Sequence, residues 1–158
     1  MGVKTNLTAS FIDSLYSQVL EICREEIIRT LSYLGEQSVT RIRDRSSEES
    51  WIDHTGNLRT SIGYSVASHG KKVVESAFQQ VLSGTEGAEE GKKLIDSLVS
   101  KYAETYALIV VAGMNYADYV EALDNKDVLA STELWARSVI DDYLSKAQKR
   151  INNRVSKL

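Results

Sequence analysis

Tyr106-Ala-Leu-Ile-Val-Val-Ala-Gly-Met-Asn-Tyr-Ala-Asp-Tyr-Val-Glu-Ala-Leu123 contains the change of periodicity on which the fold turns. Tyr106 to Ala112 is a continuous apolar run rich in β-branched residues and stopped by Gly113. Such a run fits a short strand buried on both faces better than a helix. Gly113 offers the backbone freedom of a sharp exit, and Asn115 is a good N-cap for a helix starting just beyond it. Tyr116, Val120 and Leu123 then recur at helical spacing, with Ala117 beside them. A central strand is therefore expected to pass directly into a short amphipathic helix.

Upstream, Leu7 to about Gln37 reads as one long helix. Phe11, Ile12, Leu15, Tyr16, Val19, Ile22, Cys23, Ile27, Leu31 and Leu34 recur at threes and fours. Asn6 or Thr8 would cap it. Glu21, Arg24, Glu25, Glu26 and Arg29 fall on the opposite, wet side. The stripe is longer than a domain of this size can cover, so it suits a neighbouring subunit as well as the chain's own sheet. Arg41 to Glu49 is charged and serine-rich and reads as a mobile loop, extending to about residue 50.

Ile62, Tyr64 and Val66 alternate with Ser61, Gly63, Ser65 and Ala67, the pattern of a half-buried strand. Ser68-His69-Gly70-Lys71 supplies a hairpin turn, and 72–78 is assigned to the returning strand. Ser83 to Gly91, with three glycines, reads as a loop. Gly91, Leu94, Ile95, Leu98, Val99 and Tyr102 mark a helix leading into the central strand. Beyond Leu123, residues 124–127 form a turn and Val128-Leu129 a stub of strand. Ser131 or Thr132 caps a last helix striped by Leu134, Val139, Ile140, Tyr143, Leu144, Ala147, Ile151 and Val155. Lys146, Lys149, Arg150, Arg154 and Lys157 suit the dipole at its end.

The fold class is thus α+β: a small antiparallel sheet with a β-hairpin, packed against long N- and C-terminal helices. The 158 residues make one domain, with the α+β core over 51–158. A chain this long buries roughly 70% of its unfolded surface, so neither metal nor disulfide is needed to hold it.

A net charge of −3 with both signs interspersed leaves no footprint for general nucleic-acid binding. Arg41-Ile-Arg-Asp-Arg45 is the local exception and reads as solvated. Cys23, the single cysteine, lies on an apolar stripe, which leaves no set of structural zinc ligands. No stretch approaches the roughly 20 apolar residues that span a bilayer.

His54 beside Asp53, with Glu48 and Glu49 near in sequence, is the closest approach to an acid–base cluster. No glycine-flanked serine, paired histidines or phosphate-cradling loop accompanies it. His54 and His69 read as exposed loop residues. Tyr116 and Tyr119, with Tyr64, Tyr102 and Tyr106, have acidic rather than basic neighbours, which favours core or protein-interface tyrosines over a base-stacking platform. No catalytic residue, metal ligand or cofactor site is assigned.

Two stretches in order carry a resemblance. Thr55-Gly-Asn-Leu-Arg-Thr-Ser-Ile62 is followed by Val111-Ala-Gly-Met-Asn-Tyr-Ala-Asp-Tyr-Val-Glu121 and Asp127-Val-Leu129. Together they resemble the tail-component family of tailed bacteriophages and prophages, small neck or tail-completion proteins found with head-to-tail joining genes. Thr55, Gly56, Leu58, Arg59 and Ser61 match the first motif, and Tyr116, Ala117, Tyr119, Val120 and Glu121 the second. Ala122-Leu-Asp-Asn-Lys126 departs from the glycine-containing turn common after the second.

The resemblance implies an α+β fold, assembly as rings between portal and tail tube, and no catalysis. It also implies the virion as destination after synthesis in the bacterial cytoplasm. The partners implied are other copies of the chain and other neck or tail proteins, with no small-molecule substrate, sequence-specific nucleic acid or membrane. Arg59 and Glu121 are expected to act as polar anchors, within the subunit or across a joint. Two other readings compete: a metal-dependent hydrolase or nuclease using Asp53 and His54, and an adaptor that binds one protein through the Tyr116 helix without forming rings.

Overall fold

The computed structural model describes residues 8–46, 51–122 and 127–158. Helix α1 (Ala9–Arg43) opens on Thr8, whose hydroxyl accepts from the Phe11 amide at 3.3 Å. One turn, α2 (Asn57–Thr60), leads to strand β1 (Ile62–Ser68), which a two-residue loop joins to β2 (Lys71–Glu75). Helix α3 (Gly87–Val99) continues as a 3-10 turn over Ser100–Tyr102. Then come β3 (Tyr106–Ala112), α4 (Ala117–Ala122) and α5 (Ala130–Val155). The fold is α+β, with a three-stranded antiparallel sheet ordered β2-β1-β3 and long helices at both ends of the chain.

The middle strand is β1, and this corrects two expectations. Tyr106 to Ala112 lies at a sheet edge rather than at the centre. The alternation in β1 does not separate a dry face from a wet one, because Ser61 to Ala67 is buried throughout. Ile62, Tyr64 and Val66 enter the cluster that α1 covers. Ala67 joins Ile95, Val99, Ile109 and Val111 beneath α3. The small residues of β1 suit this second layer. A Cβ at Gly63 would meet the Phe78 ring at 2.4 Å, and the Ser65 hydroxyl is satisfied by donating to the Val74 carbonyl at 2.7 Å.

The hairpin turn forms as expected. His69 and Gly70 both have positive φ, 50° and 75°, the conformation of a type I′ turn. Strand β2 ends at Glu75 rather than 78. Ser76 then takes over the ladder, its amide donating to the Tyr64 carbonyl at 2.9 Å and its hydroxyl accepting from the Tyr64 amide at 2.8 Å.

Helix α1 runs six residues beyond the expected end, because Ile42, fully buried, extends its apolar stripe through the arginines. Arg41 to Arg43 is therefore helix and not loop, while residues 47–50 lie outside the described residues. Gly35 lets the Tyr64 ring lie against the α1 backbone, where a Cβ would sit 2.4 Å from it. Tyr64 donates to Glu36 at 2.9 Å, and burial followed by this carboxylate pushes its hydroxyl up to about 12.

Helix α5 lies antiparallel along α1. Near its start Arg45 pairs with Asp127 and donates to the Thr132 hydroxyl at 2.6 Å. Near its end Arg150 meets Glu26. Glu26 is thus not on a wet face: it is 3% exposed and accepts from Arg150 at 2.6 Å and Arg154 at 3.2 Å. Those two arginines serve this pairing rather than the dipole of α5. The α5 stripe is only partly covered, with Ala147 buried and Leu134 and Leu144 exposed.

Several boundaries differ. Helix α3 begins at Gly87, inside the expected loop, where glycines at 87 and 91 allow close approach to the backbones of Asn57 and Ser61. Val128-Leu129 is a bend, not a strand, with Val128 fully buried. The expected Asn6 cap, Glu48, Glu49, Leu123 and the turn at 124–126 lie outside the described residues.

Candidate functional site

The two motifs fold into one corner. Asp53 organises the first: its Oδ1 accepts from the Gly56 amide at 2.9 Å and its Oδ2 from the Arg59 amide at 2.7 Å, capping α2. Gly56 takes φ 81° at a place where a Cβ would overlap the Val81 carbonyl. Ser61 joins this turn to the second motif. Its hydroxyl donates to the Leu58 carbonyl at 2.8 Å and accepts from the Met114 amide at 3.3 Å, while its carbonyl accepts from the Gly113 amide at 3.2 Å.

Gly113 is required for space rather than for an unusual backbone angle. A Cβ there would stand 2.4 Å from the backbone of Gly91. Tyr116, not Asn115, is the residue immediately ahead of α4, its carbonyl accepting the first helical bond from the Val120 amide at 3.0 Å. Burial first, then the Asp53 carboxylate, raises the Tyr116 hydroxyl above its ordinary value, against a hydrogen bond with Thr55. Both motifs therefore share the space around Asp53.

Arg59 and Glu121 are anchors inside the chain. Arg59 donates to the Arg43 carbonyl at the end of α1, to Arg45 at 3.4 Å and to Trp51 at 3.3 Å. Its guanidinium lies 4.8 Å from the centre of the Trp51 ring. A single cation thus ties the end of α1 to the start of the core, where carbonyls left unpaired by the helix point. Glu121 performs the reverse service for α5. Its Oε1 accepts from the amides of Leu129 at 3.3 Å and Ala130 at 2.8 Å, and Asp127 accepts from Ser131 at 3.1 Å. Neither Ser131 nor Thr132 supplies the cap; two carboxylates do, Glu121 from α4 and Asp127 from just ahead of α5, aided by the positive end of the α5 dipole.

Of the remaining motif residues, Leu58 and Ala117 are buried, Val120 is half-buried, and Thr55 and Tyr119 are exposed. Tyr119 is 66% exposed. His54 is exposed, and both oxygens of its neighbour Asp53 are already occupied by amides. Such a carboxylate is poorly placed to act as a base or a metal ligand. Among the described residues no group of three His, Cys, Asp or Glu side chains is placed to hold a metal. No helix among them is long and apolar enough to cross a membrane.

A second feature, away from the corner, is legible in the sequence as an over-long stripe. The buried residues of α1 begin at Ile22. Ahead of it, Phe11, Ile12, Tyr16 and Leu20 are exposed by 54%, 51%, 64% and 50%. Arg154, in the last helical turns of α5, bonds Glu25 and Glu26, so the first turns of α1 project past the end of its partner helix.

No family model, curated protein or solved structure gives a significant match to the chain.

Proposed function

We propose that the protein is a non-enzymatic structural component of a bacteriophage neck, a tail-completion protein that helps join head to tail as one unit of an oligomeric ring. The observation that carries this reading is the projecting apolar end of α1. Fully burying a side chain of this type is worth about 1.5–3 kcal/mol. With four of them half-exposed, about 3–6 kcal/mol of hydrophobic free energy is available to an assembly. That is comparable with the whole folding stability of a small domain, about 5–15 kcal/mol. A ring uses such a surface heterologously, the projecting turns of one copy meeting a different face of the next.

The motif corner supports the same reading in another way. Its polar groups are spent on fixing the ends of α1 and α5 relative to the sheet, which gives a rigid base to the projection. Tyr119 stands exposed on that base and suits contact with another neck or tail protein. In this reading the mature protein resides in the virion.

The test is genetic. Deleting the gene from the phage or prophage that encodes it should leave filled heads and free tails unjoined, as seen by electron microscopy of lysates. Normal virions from the deletion would refute the proposal. Unjoined particles rescued by a copy that cannot self-associate would favour the single-partner adaptor instead.

A further inference from the structure

The edge of β3 is open, and it is unlike the other edge of the sheet. The bonds His69 N to Thr105 O (3.0 Å) and Gly113 N to Ser61 O (3.2 Å) close the two ends of the β1–β3 ladder. In an antiparallel pair inward and outward main-chain groups alternate. Ala107, Ile109 and Val111 therefore bond to β1, and Leu108, Val110 and Ala112 direct their amides and carbonyls outward. No intramolecular bond to these outward groups is formed among the described residues.

Edges are usually blunted by charge, bulges or cover. Strand β2 has both of the first two: Lys71, Lys72 and Glu75, and a register irregularity opposite Val66/Ala67. Strand β3 has neither. It pairs with β1 in unbroken register over seven residues, none of them charged.

Beside this edge runs a groove of about 400 Å³. Leu108 and Val110 form one wall, Leu129 together with Thr132 and Ala136 of α5 the other, and Ser38 and Ile42 of α1 the floor. The charged groups on its wall, Glu133 and Arg137, pair with each other at 2.8 Å. We propose that this groove receives an extended segment of another protein, which adds to the sheet as a fourth strand along β3. The segment is apolar at alternate positions, where its side chains enter the groove, and uncharged in the middle, matching a wall whose charges are already neutralised. Main-chain bonds to Leu108 and Val110, the outward-facing positions that line the groove, give affinity, and the groove gives register.

A second copy of the folded chain is a poorer occupant. Its own β3 is flanked by its own α5, which would meet the α5 standing across this groove, and its β2 is charged and irregular. A tail or loop with nothing beside it enters freely. This inference concerns a different surface from the projecting stripe and does not rest on the neck reading.

The test uses the full chain and a fluorescein-labelled peptide, Lys-Thr-Val-Thr-Val-Thr-Val-Thr-Lys, together with the same peptide N-methylated at alternate amides. Binding is followed by fluorescence polarisation and by amide exchange in NMR spectra. The plain peptide is expected to bind and to slow exchange at Leu108 and Val110, with no change at the amides of β2. N-methylation removes the ladder donors and should weaken binding roughly tenfold or more, the equivalent of one or two lost hydrogen bonds. Ala136→Trp, which fills the groove from α5, should abolish binding, while Ala136→Ser retains it. No binding, equal binding of both peptides, or protection at β2 instead would overturn the proposal. So would protection of the same two amides by self-association at high protein concentration without peptide. If Ala136→Trp does not fold, the comparison of the two peptides and the exchange pattern still decide.

Discussion

Removing the Glu26 carboxylate should loosen the whole α1–α5 layer. Glu26 is almost fully buried and receives two charge-assisted hydrogen bonds, from Arg150 Nε at 2.6 Å and Arg154 Nη1 at 3.2 Å. Bonds to a charged group contribute about 1.5–3 kcal/mol each when shielded. Here the guanidiniums are 38% and 41% exposed, so water recovers part of the loss, as does Thr30, whose hydroxyl accepts from Arg150 at 2.9 Å. Discounted for that exposure, Glu26→Ala should cost about 2–3 kcal/mol.

For a chain of this length that lowers Tm by about 5–10 °C, read by circular dichroism at neutral pH. The hydrogen bond from Arg150 is the main cause that holds the Glu26 carboxyl below its ordinary value, with burial pulling the other way. Its contribution is therefore complete above the unfolded carboxyl value, about 4.3, and lost as pH falls through the lower folded value. The gap between wild type and variant should be flat at neutral pH and shrink in acid. A Tm change under about 2 °C, or a gap that widens in acid, would refute the reasoning.

Three further substitutions test the corner. Glu121→Ala removes the cap from the Leu129 and Ala130 amides and should cost about 1 kcal/mol, with faster amide exchange at Ala130. Gly113→Ala forces a Cβ against the backbone of Gly91 and should cost about 1–3 kcal/mol by urea unfolding, more than any glycine-to-alanine change on an open surface. Arg59→Lys keeps the charge but loses the fork that reaches Arg43, Arg45 and Trp51 together; it should lower Tm nearly as far as Arg59→Met, because one ammonium cannot reproduce that geometry.

The legible parts of the chain are those whose periodicity is written locally. Heptad-like spacing exposes α1 and α5, and alternation with a Gly-containing turn exposes the β1–β2 hairpin. Which strand lies in the middle is not readable, since a run such as Tyr106 to Ala112 is equally apolar at an edge that faces a groove. Glu26 defeats a pattern-based reading because a carboxylate on the flank of a stripe is wet unless a distant cation reaches it, and Arg150 lies 124 residues away. The α5 cap is hidden for a related reason. Ser131 and Thr132 have the right chemistry next door, but Glu121, folded back by α4, reaches the α5 amides first. Gly113 stands out in the sequence, yet its reason, contact with Gly91, exists only once α3 is laid against the strand exit. The Asp53 cap does leave a local signal: an aspartate three residues ahead of a glycine and six ahead of Arg59 is a common arrangement for an oxygen that gathers turn amides.

The central claim is that the projecting turns of α1 work in assembly. It is tested most directly by complementing the gene deletion with the double variant Phe11→Asp, Tyr16→Asp. Both side chains lie ahead of the buried part of α1, so the variant should fold with a Tm close to that of wild type. It should nevertheless yield unjoined heads and tails and few infectious particles. Infectious particles at the wild-type level from that folded variant would contradict the account.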